Sequence, residues 1–218
     1  MSKPIPEGLW ELFPLLFRPH PWHGISVGDE APEKVTAFIE IVPTDPVKYE
    51  LDKTTGYLKI DRPQKFSNVY PSLYGFIPQT FCAEENAAFC AAKTKRDGII
   101  GDGDPLDICV LSEKDISHGD VLMDVIPIGG LRMIDNNEAD DKIVAVSVKD
   151  PAVADYTSHD QLPPHTLREI RRFFEDYKVL EQKQVVVEDF MGAEDAVRIL
   201  DEALDLYRKL RRGEVTRK

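Results

Sequence analysis

Short apolar segments that alternate with polar residues, each closed off by turn chemistry, run from Lys34 to Glu188. From Lys34 to Val42 the apolar side chains fall at Val35, Ala37, Ile39 and Ile41, the period-two pattern of a half-buried strand. Pro43-Thr-Asp-Pro46 is a turn, and Val47–Leu51 and Tyr57–Ile60 continue as strands either side of Thr55-Gly56. Further strands are expected at Ile108–Leu111, Val121–Ile128, Lys142–Val148 and Val185–Glu188. Strands this short and this close together favour an antiparallel barrel or sandwich over a parallel sheet.

Two helices are expected to close the chain. The first starts at Pro163-Pro164, because proline is tolerated in a first turn, and carries Leu167, Ile170, Phe174 and Tyr177 on one stripe. The second, about Ala193 to Leu210, carries Val197, Leu200, Leu204 and Tyr207 likewise. Residues 1–19 read as an N-terminal arm, 20–212 as a single domain, and 213–218 as a frayed end. Residues 81–100, small, polar and Ala-rich, read as an inserted surface loop.

The chain has 218 residues, 42% hydrophobic and 30% charged, which suits one globular core. Its apolar runs fall short of the ~18 residues that span a bilayer, so no membrane partner is expected. Prolines and glutamates interrupt the apolar start, which does not read as a secretory signal. Three cysteines (Cys82, Cys90 and Cys109) form no disulfide framework and fit a reducing, cytoplasmic setting. A formal net charge of −12 opposes binding to nucleic acid, which needs a basic face. Where such a chain handles an anionic substrate, cations must mediate, and surplus carboxylate points to Mg²⁺.

The sharpest local feature is Asp102-Gly-Asp-Pro-Leu-Asp107, three carboxylates within six residues on a turn shaped by Gly103 and Pro105. They repel one another unless cations stand between them; the plain alternative is a solvated turn. Counted from Asp102, Glu113 falls at the twelfth position of a calcium loop. The sixth position, however, is Asp107 where that loop needs Gly, and a strand follows instead of a helix. A second acidic run, Asp135-Asn-Asn-Glu-Ala-Asp-Asp141, is either a solvated hairpin tip or a partner facing the first. Glu40, Lys48, Glu50 and Arg62 lie on polar strand faces. They form either a cross-strand salt-bridge ladder or a lining in which Lys48 and Arg62 grip phosphate oxygens. His20 and His23 lack the partner spacing of a zinc site.

Taken in order, these segments resemble the soluble family I inorganic pyrophosphatases from about His20 to Leu210. The resemblance runs through Ile39-Glu-Ile41, Val47-Lys-Tyr-Glu50, Asp61-Arg62, Tyr70-Pro-x-x-Tyr-Gly75, Gly101-Asp-Gly-Asp-Pro-x-Asp107, Asp140-Asp-Lys142 and Phe173-Phe-Glu-x-Tyr-Lys178. It implies a mainly β fold with flanking helices, a five-stranded OB-like barrel. The implied reaction is hydrolysis of pyrophosphate by a Mg²⁺-activated water attacking in line, in a homo-oligomer. On that resemblance Asp102, Asp107 and Asp140 ligate Mg²⁺, Asp107 bridges to a second ion, and Asp135 with Glu50 or Glu40 serves further metals. Lys48, Arg62, Tyr74, Lys142, Tyr177 and Lys178 bind phosphate, and Asp104 is the general base. Two readings of other classes compete. A cation-buffering module would use the acidic runs but needs none of the basic residues. A single-strand nucleic-acid binder needs a basic groove with stacking aromatics, which the charge opposes.

Overall fold

The structure is a computed structural model and describes residues 18–65, 67, 69–181 and 185–217. The N-terminal arm expected at 1–19 therefore lies almost wholly outside the described residues. Among the described residues ten strands form: β1 (Val35–Ile41), β2 (Val47–Leu51), β3 (Leu58–Pro63), β4 (Leu73–Phe76), β5 (Ile100–Gly101), β6 (Asp107–Leu111), β7 (Val121–Asp135), β8 (Glu138–Ala139), β9 (Lys142–Ser147) and β10 (Val185–Gly192). Strands β1, β4, β6, β9 and β7 pair in that order, and β7 returns to β1, so five strands close into a ring. This is the five-stranded OB-like barrel expected, with one difference. The ring is mixed, because β6 and β9 run parallel, with Asp107 opposite Lys142. Period-two reading assigns faces but not partners, so that pairing was invisible to it.

Closure depends on close backbone approach and on bulges. A side chain at Gly75 would put its Cβ 1.9 Å from the Phe38 carbonyl oxygen, so only glycine lets β4 pack on β1 there. The 15-residue β7 shifts register between Pro127 and Gly129 and serves β1, β9, β10 and β8 along its length. The long strand was expected to stop at Ile128, where that bulge lies. Strand β4, four buried residues after Pro71, was not anticipated as a strand.

The barrel interior holds Val35, Ala37, Ile39, Ile108, Val110 and Val125. Helix α3 (Ala193–Arg212) lays Ile199, Leu200, Ala203 and Leu204 on the same cluster. Helix α2 (Pro164–Asp176) covers the other flank with Ile170, Phe173 and Phe174, against Tyr70, Tyr74 and Met133. Both closing helices therefore form as their apolar stripes predict.

Residues 81–100 depart from the expected loop: Glu84–Thr94 is a helix, α1, with Ala87, Phe89 and Cys90 buried. Its alanines are small enough for a surface loop, but Ala is also the strongest helix former. Small side chains let α1 sit close on α3, where Asn86 donates to the Ile199 carbonyl at 3.2 Å. The described part of 213–218 folds back on the body. Gly213 (φ +74°) caps α3, Val215 packs beside Trp22 and Tyr207, and Arg217 reaches Asp104.

Candidate active site

The acidic turn is held by backbone. Gly103 takes φ +76°, its N–H donates to the Cys82 carbonyl at 2.9 Å, and Cys82 N–H donates to the Asp104 carbonyl at 2.9 Å. The Asp104 N–H caps Asp102 Oδ1 at 3.0 Å. The second acidic run turns back through Asn136 and Asn137, both left-handed, which asparagine tolerates. A two-residue parallel pairing, Ile100 with Glu138 and Gly101 with Ala139, then brings the two acidic runs side by side. They face one another across a cavity of about 180 Å³.

Twelve of the thirteen residues expected at the site line this cavity: Glu40, Lys48, Glu50, Tyr74, Asp102, Asp104, Asp107, Asp135, Asp140, Lys142, Tyr177 and Lys178. Arg62 does not. Its guanidinium lies outside the lining, on Asp61 and on Glu181 of the turn after α2. The salt-bridge reading of the β2–β3 pair holds in part. Lys48 stands 3.2 Å from Glu50 and 3.3 Å from Asp61, while its register partner is Arg62, a like charge. Asp140 and Asp141 separate by period two. Asp140 faces the cavity, whereas Asp141 turns to the buried Arg132 at 3.2 Å.

Three lining residues with polar side chains lie outside the expected set. Lys53 sits just past β2, where alternation no longer assigns a face, and its Nζ lies 2.6 Å from Asp104 Oδ1 and 3.1 Å from Glu50 Oε1. Glu138 belongs to the hairpin tip, and Tyr70 packs its ring on Phe173 at 4.4 Å between centroids. A signal for Lys53 existed in its three-residue spacing from Glu50 across the Asp52 turn.

The electrostatics are those of a site with too much negative charge. Eight carboxylates and four ammonium groups line the cavity, so an anionic substrate needs added cations to enter. Burial, then the charge of Asp107, raises the Glu40 carboxyl to about 8, although Leu51 N–H donates to it at 2.7 Å. Burial and Asp140 hold Asp102 well above the usual carboxylate range. Asp140 is pushed up to about 6 by burial, with Lys142 pulling against that and Asp107 adding to it. Lys142 is 1% exposed, and burial works to lower its pKa. Asp107 and Asp140 more than offset this and raise its pKa. Burial also raises the phenols of Tyr74 and Tyr177, so both are neutral donors, and Tyr74 donates to Asp107.

These donors suit a hard divalent cation: they are carboxylate oxygens, crowded, and unfavourably charged for lack of counter-charge. As the side chains stand, Lys142 Nζ lies between Asp107 and Asp140 and Lys178 pairs with Asp135. Among the described residues no three His, Cys, Asp or Glu side chains yet converge at metal-ligand spacing.

The inorganic pyrophosphatase family profile matches residues 37–208, well over half of the chain. The chain belongs to the inorganic pyrophosphatase family. It is 48% identical over 159 residues to the inorganic pyrophosphatase of Chlamydia caviae, covering 73% of this chain and 74% of that one. It is 44% identical over 190 residues to soluble inorganic pyrophosphatase 2 of Chlamydomonas reinhardtii, covering 87% of this chain and 89% of the relative. The crystal structure of the inorganic pyrophosphatase from Thermus thermophilus superposes with a TM-score of 0.72 at 32% identity, over 84% of this chain and 97% of that one. Membership in this family agrees with the five-stranded ring and with carboxylates and lysines interleaved around one cavity.

Proposed function

We propose that this cavity hydrolyses inorganic pyrophosphate to two orthophosphates with Mg²⁺, using Asp104 as the general base. The observation that carries this reading is the mixed lining. Eight carboxylates serve no purpose in a simple anion pocket, and four lysines serve none in a simple cation buffer. Together they fit a polyanion that arrives with divalent cations. Such ions, when bound, neutralise phosphate oxygens and acidify the attacking water.

The chain's own residues have the following work. Asp102, Asp107 and Asp140 would hold Mg²⁺, Asp107 would also serve a second ion, and Asp135 with Glu50 or Glu40 would serve further ones. Lys142 and Lys178 then leave their carboxylates for phosphate oxygens, joined by Lys48 and Arg62, while Tyr74 and Tyr177 donate from neutral hydroxyls. Water forms a bond to one phosphorus as the bridging P–O bond breaks. Its proton goes to Asp104, and the leaving phosphate takes the bridging oxygen with its electron pair. Most of the barrier is met by neutralising charge at fixed positions.

The free, buried cysteines Cys82, Cys90 and Cys109 support a reducing cytoplasm as the setting. Among the described residues no helix is long and apolar enough to cross a membrane. A homo-oligomer is part of the reading, as the resemblance to the family implies. Phosphate release from pyrophosphate tests the reading. It should require Mg²⁺, vanish with EDTA and return on adding Mg²⁺; full turnover in excess EDTA overturns it.

A further inference from the structure

Asp104 needs one oxygen free, aimed and held still if it is to take a proton. Its backbone is already fixed, because its carbonyl accepts from Cys82 and its N–H is tied to Asp102. Its side chain is not fixed by the turn. What holds it is Lys53, whose Nζ stands 2.6 Å from Oδ1, and more loosely Arg217, at 3.3 Å from the same oxygen. Among the described residues no hydrogen bond or ion pair reaches Oδ2. The two oxygens are thus unequal: one is clamped and the other is available.

Lys53 is itself held from both sides. Glu50 Oε1 takes a second of its donors at 3.1 Å, and only 14% of its side chain is exposed. The turn that carries it is rigid. Asp52 Oδ1 accepts from the N–H groups of Thr54 at 3.2 Å and Thr55 at 2.8 Å, and Gly56 N–H closes on the Asp52 carbonyl at 2.8 Å. Arg217, by contrast, is 41% exposed, and an exposed pair of that kind contributes little. Lys53 is therefore the one of the two cations that can set a geometry.

We propose that Lys53 is a positioning residue, clamping Oδ1 of Asp104 so that Oδ2 faces the attacking water. This rests on the reading of Asp104 as the base. A phosphate-binding lysine on the same turn would act differently, by contributing to substrate affinity directly.

Steady-state kinetics of Lys53→Met and Lys53→Arg with pyrophosphate and saturating Mg²⁺, beside the wild type and Asp104→Asn, separate these. Lys53→Met should lose about 10–10²-fold in kcat, the size of effect that a misplaced group of about 1 Å produces, with KM within about twofold. Lys53→Arg should recover most of the loss, because a guanidinium still reaches a carboxylate. A raised KM with kcat intact would make Lys53 a substrate ligand and overturn the inference. An unchanged kcat in Lys53→Met, or a Mg²⁺ affinity that falls in step with kcat, would overturn it too, the latter by moving the effect to Glu50. Thermal unfolding of each variant shows whether a loss of kcat is a loss of fold, and rescue by arginine excludes that explanation independently. If Asp104→Asn keeps wild-type kcat, the base assignment fails. If it drops while Lys53→Met does not, only the role of Lys53 fails.

Discussion

Arg62 stands on the strand pair that supplies the site, yet its guanidinium is occupied by Asp61 and Glu181 and lies outside the cavity lining. Either it stays there, as one link of a surface salt bridge, or it turns in and grips a phosphate with two parallel hydrogen bonds. Substitution by lysine separates the two, since lysine keeps the charge and loses the planar fork. If Arg62 grips phosphate, Arg62→Lys should lose about 1–3 kcal/mol of transition-state stabilisation, the worth of charge-assisted bonds, read from kcat/KM. An unchanged kcat/KM in a folded variant would leave Arg62 to the salt bridge. Asp104→Asn tests the neighbouring assignment. It keeps the shape of the side chain and removes its basicity, so kcat should fall about 10²–10⁴-fold. Mg²⁺ affinity should change far less than in Asp107→Asn; equal losses of affinity would make Asp104 a ligand. At this scale the sequence was informative where alternation fixes a face, as at Glu40, Lys48 and Glu50. It was silent at Lys53, beyond the strand's end, and it could not show that Arg62 has carboxylates to occupy it.

Among the elements, β7 and β9 flank the second acidic run, and a buried ion pair away from the cavity joins β7 to Asp141, just before β9. Arg132 and Asp141 are 5% and 8% exposed; Asp141 also accepts from Met133 N–H at 3.2 Å, and the Arg132 guanidinium lies 5.1 Å from the Phe89 ring of α1. Burial raises the Asp141 carboxyl and Arg132 pulls it back, so neither charge is comfortable without the other. Asp141→Ala should therefore destabilise the fold by about 3–5 kcal/mol, because it strands a buried guanidinium. Replacing both residues, as Arg132→Met with Asp141→Leu, should recover most of that in chemical denaturation. A single substitution costing less than about 1 kcal/mol would mean that water reaches Arg132. The sequence placed β1 by its alternation, α2 and α3 by their apolar stripes, and β6 and β9 as short apolar runs bounded by turns. The apolar residues of helix α1 are alanines, one Cys and one Phe, which leaves its period faint, and the β5–β8 pairing is two residues long. Yet that short pairing brings the two acidic runs together, so the meeting of the runs was open as an idea and closed only by topology.

For the whole molecule, stability towards acid should depend on a group far from the chemistry. His23 lies between the start of the described chain and the end of α3, stacked on Trp22 at 4.4 Å and on His20 at 4.7 Å, with Nδ1 2.9 Å from the Tyr207 hydroxyl. Burial comes first in lowering its pKa to about 4, and the charges of His20, Arg211 and Arg217 push the same way. Among the described residues these and Tyr207 are the titratable or charged groups that act on it, and none is a carboxylate that would favour the imidazolium. In the unfolded chain the same ring titrates near 6.5. Between these two values the unfolded state binds a proton that the folded state refuses, so stability falls as pH falls from about 6.5 towards 4. Above that window the neutral ring contributes fully, and below it the loss is complete. The steepest slope one such proton gives is about 1.4 kcal/mol per pH unit, and partial solvent access at His23 keeps the real slope beneath that ceiling. His23→Gln retains a partner for Tyr207 but does not titrate. Urea unfolding at intervals from pH 7 to pH 4 should show the wild type's advantage over His23→Gln shrinking steadily across the window. Parallel curves would mean that His23 is protonated in the fold, with Tyr207 and solvent carrying its charge despite the arginines around it.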